Sequence, residues 1–266
     1  MRIFVCVKQV PDTSGKVAVN ENGTLDRASM ATIINPDDMN AVEAALQLKD
    51  SDGARVTVVT MGPPPAKGML QELIAMGADD GILISGREFG GSDTYATSQI
   101  IAAALQHAGI GKEDIIFCGR QAIDGDTAQV GPQIAEKLGL PQVTYAGEIK
   151  VAGDKITVNR LLEDGYFVVE AERPCLVTCV KELNEPRYMT VRGIIECFDK
   201  PIEVFDYEEL KDEPLIDPST IGLKGSPTNI FKSFTPPQKG QVEMIPGSAK
   251  EAAGALAGKL AKKHVI

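Results

Sequence analysis

Uninterrupted apolar runs at 2–7 (RIFVCV), 55–60 (RVTVVT), 81–85 (GILIS) and 114–118 (DIIFC) alternate with stretches of helical apolar spacing near 37–49, 65–76, 93–108 and 127–138. Strands without polar alternation are buried on both faces, so the pattern predicts an α/β fold: a parallel sheet covered by helices. In such sheets ligands collect at the carboxyl ends of the strands. From 143 to 181 the texture changes to short period-two runs at 147–151, 155–162, 166–171 and 175–181, broken by Gly153-Asp154 and Asp164-Gly165. Those turn pairs predict an added antiparallel hairpin region. After residue 199 it changes again, because 7 of the 16 prolines fall between Pro201 and Pro246. That predicts an extended C-terminal arm ending in a helix over 248–263, where Ser248 and Glu251 have capping-box spacing and Lys259, Lys262 and Lys263 suit the helix dipole. The expected organisation is an α/β domain over 1–198, including antiparallel strands 147–181, and an arm over 199–266.

Composition narrows the chemistry. The 266 residues carry a net charge of -10, which repels a phosphate backbone, so nucleic-acid binding is not expected. No apolar run approaches the roughly 20 residues of a membrane span, and MRIFVCVKQV is too short for a signal peptide, so a cytoplasmic location is expected. Cys6, Cys118, Cys175, Cys179 and Cys197 are odd in number and show no CxxC spacing, which fits reduced, buried thiols. With His107 and His264 as the only histidines, neither a His-rich metal site nor a Ser-His-Asp triad is expected.

Neither GxGxxG nor GxxxxGK[ST] occurs, so phosphates would have to be held by another device. The strongest candidate is the strand-to-helix loop Gly119-Arg120-Gln121-Ala122-Ile123-Asp124-Gly125-Asp126-Thr127-Ala128-Gln129-Val130. Its glycines permit backbone approach, and the N–H groups around Thr127 to Val130 at a helix start form an anion site. The competing reading is that Asp126 and Gln129 merely form a capping box. Pro132 leaves two options open: a helix from Thr127 that kinks, or one that begins again at Pro132. Two further junctions at the same edge, Asn35-Pro36-Asp37-Asp38 and Thr60-Met61-Gly62-Pro63, are also ordinary helix-start and turn grammar. A fourth, from Gly91 through Ser92, Asp93, Thr94 and Thr97, places hydroxyls one helical turn apart; capping by Ser92 explains part of it, and hydrogen bonding to a flat heteroaromatic ring would use the rest.

Taken together, VKQVPDT, NPDDMNAVEAAL, MGADDGILIS, GRQAIDGDTAQVGPQIAEKLGLPQVTY and LNEPRYMTVRGI resemble, in order and over nearly the whole chain, the beta subunit of electron-transferring flavoprotein. The resemblance implies an adenine nucleotide α-hydrolase-like fold, an alpha-subunit partner, and a nucleotide held by Cys6, Asn35, Pro36, Asp37, Asp38, Met61 and Gly119 to Val130. Within the family, ordinary carriers keep AMP in the beta subunit, whereas bifurcating members hold FAD there and oxidise NADH. The loop with Gly125 and Thr127-Ala128, and the segment GGSDTYATSQ, look like the bifurcating pattern, with Gly91, Ser92, Asp93, Thr94 and Thr97 toward the flavin. The implied partners are ferredoxin or flavodoxin and an acyl-CoA dehydrogenase type protein. Glu185, Pro186, Arg187, Tyr188, Val191 and Arg192 match that partner's recognition loop, with Val191 as the docking hydrophobe; without the resemblance the segment reads as a hairpin tip. The readings left standing are a bifurcating subunit, an ordinary AMP-bearing carrier subunit, and a non-catalytic nucleotide-binding module.

Overall fold

The computed structural model describes residues 1–12, 31–228, 240 and 242–266. The chain divides into two compact units, Met1–Phe231 and Lys232–Ile266. The strands of the first unit are β1 (Arg2–Cys6), β2 (Gln9–Pro11), β3 (Thr32–Ile34), β4 (Arg55–Met61), β5 (Asp80–Ile84), β6 (Ile115–Gly119), β7 (Gln142–Ala152), β8 (Lys155–Leu161), β9 (Tyr166–Glu172), β10 (Cys175–Cys179) and β11 (Ile202–Phe205). Its helices are α1 (Pro36–Asp52), α2 (Lys67–Met76), α3 (Thr94–His107), α4 (Val130–Leu138), α5 (Val191–Glu196), α6 (Tyr207–Leu210) and α7 (Gly222–Gly225). The second unit carries α8 (Ala249–Lys262).

A nine-stranded sheet runs β11-β5-β4-β1-β6-β10-β7-β8-β9, parallel from β11 to β7 and antiparallel through β8 and β9, while β2 and β3 form a separate antiparallel pair. Alternate residues of the parallel strands feed two cores. Ile3, Val5, Val58 and Phe117 pack under α1 and α2 with Leu46, Leu70 and Leu73. Phe4, Val59, Ile116 and Leu176 pack under α3 and α4 with Ile100, Leu105 and Ile134. Both faces are therefore covered, the arrangement that the unbroken apolar runs require. The chain leaves β1 for β4 on one side and later reaches β6 on the other. This reversal opens a crevice at the carboxyl ends of β1 and β6.

The local signals are mostly read by the backbone as expected. Asn35 is the N-cap of α1 with Pro36 in its first turn, and Gly53 closes it at φ 68. The question at Pro132 resolves simply: α4 starts at Val130, so Pro132 falls in the first turn, where a missing N–H breaks no helical bond. The Asp126–Gln129 capping box is absent, since Gln129 is the N-cap and makes no side-chain cap bond.

Two expectations are corrected. Residues 175–179 are not part of an antiparallel hairpin, because β10 lies between β6 and β7, parallel to both, with every residue buried. Their period-two appearance belongs to a fully buried strand. Nor is the chain extended from residue 199: β11 pairs in parallel with β5, and Phe205, Leu210, Ile216 and Ile221 are buried in the core beneath α3. The prolines between 201 and 227 punctuate short packed elements instead. The part of the expected arm at 229–239 lies outside the described residues, as does Thr13 of VKQVPDT. In the second unit, α8 starts as expected, with Ser248 and Glu251 forming a reciprocal capping box and Lys259 paired with Glu243.

Candidate functional site

Four segments meet at the crevice, held by buried polar side chains. Asn35 has no exposed surface; its Nδ2 donates to Gln121 O at 2.8 Å and its Oδ1 accepts from Ile123 N at 3.0 Å. Asp38 accepts from Lys8 N at 2.8 Å and from Gly119 N at 3.1 Å, joining the exits of β1 and β6 to the first turn of α1. Burial pushes its carboxyl up to about 7, against the pull of those hydrogen bonds. Gly119 is obligatory here, since a Cβ would fall on Asp38 Oδ1 and on the Asp37–Asp38 backbone.

The loop beyond Gly119 is shaped from both sides. Lys8 Nζ holds Asp124 at 2.7 and 2.9 Å, Gln121 Nε2 donates to Asp126 at 2.8 Å, and Ala122 O accepts from both Gly125 N and Asp126 N. Asp126 and Ala128 then take left-handed backbone at φ 50 and 52, and Gln129 returns to the right-handed region. That alternation of φ sign, leading straight into α4, is of the kind from which anion-binding nests are built. Gly125 has no positive φ, and a Cβ on it would meet nothing within 4 Å. Nothing among the described residues demands glycine there, and none of them fills the space over it.

The same edge holds unspent polar capacity. Arg120 Nε lies 3.2 Å from Asp37 Oδ2 as an ion pair, and neither of these buried atoms has a hydrogen-bond partner among the described residues. Burial raises the Asp37 pKa, with the Arg120 charge opposing it. Cys6 and Cys118 are register partners on β1 and β6, and the neighbouring Cys6 thiol, then burial, raises the Cys118 pKa. All five cysteines are buried and free. Met61 ends β4 beside the core that contains Cys6.

The segment 91–97 joins the loop through one direct bond, Thr94 Oγ1 to Gln129 Oε1 at 3.1 Å. The cap of α3 is Asp93 rather than Ser92: Asp93 accepts from Ala96 N at 3.0 Å, whereas Ser92 Oγ turns back to Phe89 O at 2.8 Å. An acceptor with two oxygens serves better, because Asp93 also holds Thr228 N at 2.9 Å. Gly91 sits at φ 76 against Leu223, and Thr97 is half-buried one turn into α3.

The residues 185–192 lie elsewhere, beyond the body of α1. Arg187 is bound by Glu43 and Asp50 of α1, while Tyr188 is 94% exposed and Val191 79%. Glu185 and Pro186 precede them, and Arg192 pairs with Glu196 one turn on. The sequence reading missed Lys8, which fixes the loop, and Asn40 and Glu43, polar residues buried in a helix; their place inside NPDDMNAVEAAL was the available signal.

A mostly parallel sheet covered by helices on both faces, with its chain reversal at β1 and no glycine fingerprint beside it, defines an α/β protein of the doubly wound class. Residues 22–210 match the model of the electron transfer flavoprotein domain. The chain is 69% identical, over the full length of both, to the acryloyl-CoA reductase electron transfer subunit gamma of Anaerotignum propionicum. It is 51% identical to the caffeyl-CoA reductase-Etf complex subunit CarD of Acetobacterium woodii and 52% identical to the electron transfer flavoprotein subunit beta of Clostridium acetobutylicum, again over the full length of each. The chain belongs to the electron transfer flavoprotein family. No helix among the described residues is long and apolar enough to cross a membrane.

Proposed function

We propose that the chain is the beta subunit of an electron-bifurcating electron-transferring flavoprotein, working in the cytoplasm with an alpha subunit, an acyl-CoA dehydrogenase type reductase, and ferredoxin or flavodoxin. FAD bound at the β1/β6 edge would supply hydride acceptance from NADH and the division of its two electrons between ferredoxin and the alpha-subunit flavin. The observation that carries this is the open cradle: left-handed backbone at Asp126 and Ala128 and, among the described residues, free space over Gly125 and a buried Asp37–Arg120 ion pair whose Oδ2 and Nε have no hydrogen-bond partner. These fit a dinucleotide, because a diphosphate needs convergent N–H groups and close backbone approach.

In this reading the N–H groups of Thr127 to Val130 bind the diphosphate. Asn35, Asp38 and Lys8 hold the loop in the shape that aims those groups. Arg120 and Asp37 offer a donor and an acceptor, and Thr94 and Thr97 present hydroxyls to the ring edge from the start of α3. Cys6 and Met61 close the apolar floor. The segment from Glu185 to Arg192 docks the reductase, with Tyr188 and Val191 as contact groups, and the C-terminal unit docks on the alpha subunit.

The test is a cofactor count on the protein co-expressed with its alpha subunit. The proposal expects two FAD per heterodimer and bleaching of the visible spectrum by NADH. One FAD with one AMP identifies an ordinary carrier, and a colourless nucleotide complex identifies a binding module; either result overturns it.

A further inference from the structure

Helix α1 does more than present its N-terminus to the nucleotide edge. Asn40, Glu43, Gln47 and Asp50 are spaced three, four and three residues apart, which places them along one helical face. That face is bonded to the chain that follows β10. Asn40 Nδ2 donates to Asn184 O at 2.8 Å and to Asn184 Oδ1 at 3.1 Å, and Asn184 Nδ2 donates back to Asn40 O at 3.1 Å. Glu43 accepts from Arg187 N at 3.1 Å, Nε at 2.8 Å and Nη2 at 3.0 Å, and from Gln47 Nε2 at 3.2 Å. Asp50 adds an ion pair to Arg187 at 2.9 Å.

Asn40 and Glu43 are both buried, so their polar groups have given up water for these partners. A carboxylate in that position is tolerated because the planar guanidinium satisfies both its oxygens at once. One residue beyond the clamp the character of the chain inverts: Tyr188 and Val191 stand almost fully in solvent, followed by exposed Ile195 and Phe198. A second anchor lies at Gly193, where a Cβ would collide with Ala75 O of α2. The five residues between Arg187 and Gly193 are thus a short span fixed at both ends, carrying apolar groups outward.

We propose that Asn40 and Glu43 are positioning residues for docking: they fix the Asn184–Arg187 base from which Tyr188 and Val191 meet the reductase, and they do this without touching nucleotide or partner. The proposal rests on the reading of 185–192 as the docking segment. Holding an exposed span in its bound geometry lowers the ordering cost of association, so losing the clamp weakens docking and leaves the chemistry alone. Arg187, expected as a contact residue, then belongs to the base rather than the contact.

The test uses the complete heterodimer, with the acryloyl-CoA reductase of Anaerotignum propionicum as the probe acceptor. In Glu43→Gln the KM for that acceptor rises roughly tenfold with kcat held, the signature of lost uniform binding. Flavin content and dye reduction by NADH stay at the wild-type level, amides 185–192 exchange faster with deuterium, and Arg187→Lys, which keeps the charge but not the fork, falls between. An unchanged KM in Glu43→Gln alongside a raised KM in Val191→Ala overturns the clamp and leaves the docking reading standing. If neither variant shifts KM, the docking reading fails and the proposal with it. Should Glu43→Gln not fold, Asn40→Ala is judged by the same outcomes.

Discussion

The two regions joined by α1 invert the usual rule of burial in opposite senses. At the β1/β6 edge polar side chains are inside: Asn35, Asp37 and Asp38 are buried, Asn35 and Asp38 bonding to backbone and Asp37 pairing with Arg120. Along 188–198 apolar side chains are outside, from Tyr188 to Phe198. A buried polar group costs free energy unless it is satisfied, and an exposed apolar patch is a standing invitation to association. Folding alone explains neither arrangement. Under the proposed function the first shapes backbone donors for a small anion, and the second presents surface to a protein. The same helix serves both, with its N-terminus at one region and its flank at the other.

The sharpest way to break the first region is Gly119→Ala. The added carbon meets helix backbone as well as the buried Asp38 Oδ1, so a loss of about 3 kcal/mol is expected, read as a lower denaturant midpoint of the heterodimer. An unchanged midpoint would show that α1 can move away and that the closeness of β6 to α1 is incidental.

Asp38→Asn probes the same junction more gently. The amide must turn its NH2 toward either Lys8 N–H or Gly119 N–H, leaving a buried donor unsatisfied at a cost of about 1–3 kcal/mol. It also changes the pH response. In the folded chain the Asp38 carboxyl keeps its proton up to about 7, whereas the unfolded chain releases it near 3.8. Between those values the folded state binds more protons, so the contribution of Asp38 is fully present below about 4 and is lost as pH rises through about 7. Unfolding midpoints of wild type should decline over that window relative to the variant. Parallel pH curves for the two proteins would mean that Asp38 titrates normally.

For the second region, Val191→Ala removes two largely exposed carbons and should leave stability unchanged. Buried against a partner, those carbons are worth about 1.5 kcal/mol, a KM increase of roughly tenfold for the reductase. A smaller, purely local effect is expected in the second unit, where Ser248→Ala removes the cap of α8 at about 1 kcal/mol and should speed amide exchange in its first turn only.

How far these regions can be read from sequence follows from the range of the interactions involved. The unbroken apolar runs of β1, β4, β5 and β6, the Asn-Pro start of α1 and the ends of α8 are signals carried by adjacent residues, and these elements stand within a few residues of expectation. β10 and β11 depend on distant strands, so their short runs could not announce that they enter the parallel sheet. At the site, loop 119–130 and the Asn35–Asp38 corner were visible as glycine, acid and helix-start signals. Lys8 reaching Asp124, Thr94 reaching Gln129, and Arg187 turning inward to Glu43 join residues far apart in the chain, which no spacing rule encodes. Ser92 was the nearer cap by residue type, yet Asp93 took the role because its second oxygen also had Thr228 N to hold.

The central claim, that the loop entering α4 cradles the diphosphate of a nucleotide in this chain, is tested most directly by counting flavins in a Gly125→Glu heterodimer. A side chain at 125 has room and a permitted backbone, so the fold and the alpha-subunit flavin should be untouched. Bulk and negative charge beside two phosphates should expel the beta-site cofactor, taking the count from two FAD to one and abolishing bleaching by NADH. Two FAD retained, with NADH still bleaching the protein, would contradict it.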